Sequence, residues 1–101
     1  MPDLVQRSAG NGLWAGTVAV GSRQTGLFFD IGIAPLHLAG PPLAVLCQPR
    51  QDNADPNVYG DHFSVQVVST SAANIRVHIA RVDNAGAGWG QNLYLDVLIA
   101  S

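Results

Sequence analysis

The chain contains no glutamate and no lysine. All seven acidic residues are Asp and all five basic ones are Arg, 12% of 101 residues, against ~25% charged residues in an ordinary soluble domain. Glu and Lys are favoured on the exposed faces of helices, so their absence argues against surface helices. Hydrophobic residues make up 48% of the chain. So thin a polar skin implies that other chains cover part of the surface, because a permanent subunit interface resembles a domain core cut in half. The net charge is −2 and the five Arg are scattered, which leaves no basic footprint for nucleic acid.

Other absences narrow the class further. With Cys47 as the only cysteine, no intrachain disulfide can form. It lies in the apolar run "PPLAVLC", where a thiol reads as a small buried hydrophobe; an interchain disulfide or a reactive thiol are the alternatives. No stretch approaches the ~20 apolar residues of a membrane span, so no membrane insertion is expected. "MPDLVQRSAGNG" has neither a basic segment nor a long apolar core. It reads as something other than a signal peptide, which places synthesis in the cytoplasm. The length suits a single domain, residues 1–101, with residues 1–12 as an N-terminal arm.

What is present is a two-residue period. Candidate strands are 13–20, 26–34, 43–47, 61–70, 74–83 and 92–100, each bounded by Gly, Pro, Asn or Asp. Phe63, Val65 and Val67 alternate with Ser64 and Gln66; Ile75, Val77 and Ile79 alternate with Arg76 and His78; Leu93, Leu95, Val97 and Ile99 alternate with Tyr94 and Asp96. One apolar face per strand predicts sheets packed face to face, hence an all-β fold, a six-stranded antiparallel β-sandwich. The short "STSAAN" turn predicts a hairpin. The longest irregular segment is residues 48–60.

No catalytic constellation stands out. G-x-S-x-G and H-E-x-x-H are missing, and "GAGWG" precedes no helical pattern that could make it a phosphate cradle. His37, His62 and His78 are widely spaced. No enzyme activity, cofactor or metal is expected. Asn53, Asp55 and Asn57 do offer oxygens at alternate positions, with Asp52 and Asp61 near, as calcium loops do. Val58 stands where such a loop needs glycine, and the competing reading is Asx side chains capping their own backbone.

Aromatic residues carry the remaining expectation. Trp89 sits among Gly86, Ala87, Gly88 and Gly90, directly before the last alternating run. Such small neighbours allow a sharp turn and close approach. Two outcomes follow: an indole tucked beneath its loop, or one that reaches a partner or ligand. The second is expected, with Tyr94, Tyr59, Asp61 and Ser64 as the other partner-binding or ligand-binding residues. Trp14, near a strand start, reads as core or interface packing.

The runs "FFDIGI", "APLHLAGPPLAVL", "FSVQVVSTSAANIRVHI" and "GWGQNLYLDVLIAS" together resemble the H-type lectins. The match covers roughly residues 27–101 and rests on Pro41-Pro42 before an apolar strand, on Trp89, and on Ile99-Ala100. The resemblance implies a small six-stranded β-sandwich assembled as a trimer. Members that bind N-acetylgalactosamine carry an Arg early in the strand after the acidic loop, where Ser64 or its neighbour stands here. They also carry a His directly after the Trp, where this chain has Gly90. Tyr94 is a match for a family Tyr. The low charge content, the expected burial against other chains and the lack of a signal-peptide pattern give the expectation of a homo-oligomeric virion component of a bacteriophage, on a tail, fibre or head, contacting other virion proteins and assembled in the host cytoplasm. The alternative is a free cytoplasmic or released lectin that recognises a cell-surface glycan.

Overall fold

A computed structural model describes residues 2–60, 62–84 and 86–101. Strands β1 (Val5–Gly10), β2 (Leu13–Ala19), β3 (Leu27–Gly32), β4 (Ala44–Gln51), β5 (Phe63–Thr70), β6 (Asn74–Arg81) and β7 (Leu93–Ala100) follow in order, with one 3-10 turn, Ala34–Leu36. They form two antiparallel sheets, β1-β2-β7-β4 and β3-β6-β5. Both contribute to one apolar core, so the architecture is sandwich-like. The period-two pattern accounts for this directly. Leu93, Leu95, Val97 and Ile99 of β7 and Ile75, Val77 and Ile79 of β6 are buried, while the intervening residues face outward.

Among the described residues there are seven strands rather than six, because Val5–Gly10, within the stretch expected as an N-terminal arm, forms a strand. Val5–Gly10 pairs with β2 through a two-residue turn, Asn11-Gly12, whose positive φ values of 52° and 78° suit a type I′ hairpin. β1 is an edge strand with no apolar alternation, which hid it from the periodicity. A second correction concerns β4, which runs on to Gln51 through Pro49, so the irregular segment starts at Asp52. Proline is tolerated there because β4 pairs on one side only, with β7.

The flanks of the sandwich differ. On one, residues 2–4 step across from β1 to β3: the Leu4 N–H donates to Gly32 O at 2.9 Å and the Gly32 N–H to Pro2 O at 2.7 Å. On the other, β4 and β5 are both unpaired edges. The expected β5–β6 hairpin is present, its turn held by the Ser71 hydroxyl, which accepts from the Ala73 and Asn74 N–H groups. Because β5 is an edge, Phe63, Val65 and Val67 are only half-buried.

Candidate functional site

Trp89 lies inside the molecule, 5% exposed. Its Nε1–H donates to Gly21 O at 2.8 Å, and its ring meets Phe63 edge-on, 5.0 Å between centroids. Its backbone exchanges hydrogen bonds with Arg23, N to O 2.8 Å and O to N 3.1 Å. Gly88 explains the small neighbours: a Cβ there would run into the backbone of Arg23 and Gln24. The loop is thus pulled down onto the turn before β3, and the indole plugs the end of the core. The expected outward presentation of Trp89 is corrected accordingly. A buried indole whose N–H is already satisfied offers neither a ring face nor a donor to a partner.

The remaining expected residues separate. Tyr94 stands on the outer face of the four-stranded sheet. The Arg50 guanidinium sits 5.3 Å from its ring centroid and its Nε–H donates to both carboxylate oxygens of Asp96, at 2.9 and 3.1 Å. Tyr59 lies round the edge of β4, where its N–H donates to Gln51 Oε1 at 3.2 Å. Ser64 is exposed on the outer face of the other sheet, opposite Ala80. Asp61 lies outside the described residues. Arg50 connects the two tyrosines, since it also lines the cleft that Tyr59 borders.

That cleft, about 320 Å³, opens between the unpaired edges β4 and β5 and is lined by Gln48, Arg50, Tyr59, His62, Phe63 and Gln91 among others. Of the segment after β4, Tyr59 reaches the cleft, and the residues before it fold on themselves. Asp52 Oδ1 accepts from the Ala54 N–H and Asp55 Oδ1 from the Asn57 N–H, both at 3.0 Å. These are Asx turns, in which the carboxylates cap their own backbone. The Ala54 N–H, then the Asn92 amide, hold the Asp52 carboxyl below the usual carboxylate range. Among the described residues, His, Cys, Asp and Glu side chains gather nowhere in a group of three or more that could hold a metal ion.

The outer face of the four-stranded sheet is the second surface. Across β2, β7 and β4 the register sets it out in rows: Leu13–Ala100–Ala44, Ala15–Leu98–Leu46, Thr17–Asp96–Gln48 and Ala19–Tyr94–Arg50. The first two rows are wholly apolar and the last two mixed. Among the described residues nine large apolar side chains are exposed; Val5, Leu13, Leu46 and Leu98 stand on this face, and Leu43 borders it. A trough of about 570 Å³ runs along it between Arg7 and the Leu46–Leu98 ridge, floored by Ala15 and Thr17. Arg50, Leu13, Leu46 and Leu98 were not singled out in the sequence. Leu98 alone carried a signal: it occupies the face that the period-two pattern of 92–100 assigns to solvent.

Comparison of the chain with family models, with curated proteins and with solved structures finds no match, so its function is argued from these surfaces.

Proposed function

We propose that the chain is a non-enzymatic structural protein that works as a homo-oligomer, of the kind that decorates the tail, fibre or head of a bacteriophage. The observation that carries this reading is the outer face of the four-stranded sheet. Its two adjacent apolar rows include leucines 49%, 42% and 65% exposed, Leu13, Leu98 and Leu46. Contiguous apolar surface of this kind marks a protein contact. The charge inventory agrees, since 12% charged residues give a lone 101-residue chain little with which to stay apart from its copies. A trimer is the stoichiometry that the lectin resemblance implies. Antibody against the chain, applied to phage particles purified from cells carrying its gene, tests the assignment. Labelled particles support it; a chain confined to the particle-free fraction refutes it.

A free lectin that recognises a cell-surface glycan is the second reading. The cleft favours it, because Tyr59, His62, Gln48 and Gln91 bring aromatic rings and planar polar groups together in a concave site. A glycan array separates the two. A specific sugar whose binding is lost in Tyr59→Ala supports the lectin, and silence across the array removes it.

A further inference from the structure

The geometry points to a two-fold contact in which the outer face of the four-stranded sheet packs on the same face of a second copy. This inference rests on the oligomer reading and goes further, because it names the symmetry and the residue pairs.

The two apolar rows have opposite size patterns. Along Leu13–Ala100–Ala44 the order is large, small, small. Along Ala15–Leu98–Leu46 it is small, large, large. Each strand therefore carries one leucine and one alanine, two residues apart on the same face: Leu13 and Ala15 on β2, Leu98 and Ala100 on β7, Ala44 and Leu46 on β4. Consider a two-fold axis lying between two facing copies, across the strands, midway between the rows. Rotation about it keeps a residue's place across the sheet and exchanges the rows. Leu13 then meets Ala15 of the second copy, Leu98 meets its Ala100, and Leu46 meets its Ala44. All three knobs find hollows, and the reciprocal three contacts follow from the symmetry, as an isologous interface requires. A foreign partner would need this alternation by chance; a second copy has it by construction.

The flanking chemistry fits the same arrangement. The Arg50–Asp96 pair at 2.9 Å neutralises itself within one chain. It lies on the mixed rows, outside the apolar pair, where an interface places its polar rim. Leu43, 85% exposed beside Ala44, extends the apolar area past the end of β4. An assembly built on this contact holds an even number of chains: two, or six where trimers pair.

Sedimentation of the whole chain and four variants tests this. Wild type is expected to hold an even number of chains. Leu98→Arg buries a charge at the centre and is expected to raise the dissociation constant of the contact roughly 30-fold or more, leaving particles of half the mass with unchanged strand signal by circular dichroism. Leu98→Ala and Ala100→Leu each spoil the match, by a gap and by a clash. The double swap Leu98→Ala with Ala100→Leu exchanges knob and hollow and is expected to restore association to within a few-fold of wild type. Two-fold packing is overturned by an odd-numbered assembly, by Leu98→Arg assembling as wild type does, or by a swap no better than its single changes. A wild-type chain that stays monomeric overturns the oligomer reading as well, which the other failures leave standing.

Discussion

Replacing Trp89 by alanine is expected to destabilise the whole domain rather than disarm a binding site. The indole is 5% exposed, so truncation removes a large apolar body from a closed space, which costs ~3–5 kcal/mol. Two further losses sit within that figure: Gly21 O loses the donor that reaches it at 2.8 Å, and Phe63 loses its edge-on partner. A domain this size holds only ~5–15 kcal/mol in total. At ~4–8 °C per kcal/mol, the melting temperature is expected to fall by well over ten degrees. Trp89→Phe keeps most of the apolar volume but not the hydrogen bond, and should cost about 1–3 kcal/mol. Thermal and urea melts at two protein concentrations read both variants. A Trp89→Ala chain that melts within a few degrees of wild type but fails to associate would refute the core assignment.

Three other outcomes follow from the burial pattern. Val77→Asp places an unpaired charge in the core and should abolish folding, whereas Val65→Asp, on a half-buried edge strand, should cost markedly less, and Arg76→Asp, facing outward, less again; equal losses by chemical denaturation would contradict the strand order. Burial pushes the Cys47 thiol up to about 11 from its ordinary 9.0, so it should react far more slowly with iodoacetamide at pH 8 than the unfolded chain does. The folded chain keeps that proton where the unfolded chain has lost it, so this stabilisation is complete below about pH 9 and is lost as pH climbs toward 11. Allowing for solvent screening, the loss is about 1–2 kcal/mol, and a Cys47→Ser chain with no such alkaline decline provides the comparison. Deleting residues 53–57 removes Asx turns but no core side chain, and should lower the melting temperature by only a few degrees; collapse would show that this segment seals the sandwich.

The parts legible in the sequence were those governed by a single local period. β6 alternates from Asn74 to Ile79 and β7 over all eight of its residues, so their buried faces could be read off directly. β1 left a different trace. "VQRSAG" has no apolar face, because an exposed edge strand needs none, and its trace in the sequence is the Asn11-Gly12 turn beside it, a strong hairpin signal. Pro49 misled in the opposite sense, since proline ends a central strand but not the free side of an edge. Trp89 was misplaced for a reason that local sequence cannot supply. Glycines around an indole are compatible with display or with close packing, and the contact that decides between them is with Arg23 and Gln24, far back along the chain. The association face shared this difficulty. Leu98 was visible as an apolar residue on the polar side of its strand, whereas the wholly apolar run around Leu46 has no polar side to read, and the alignment of the two apolar rows needs the register of β2, β7 and β4 together.

The most direct test of the account is the mass of the wild-type chain in solution, measured by sedimentation equilibrium from high to low micromolar concentration. The account predicts a multiple of 10.6 kDa across that range, with no folded single chain accumulating at its lower end. A folded, soluble species of 10.6 kDa at every concentration would contradict it.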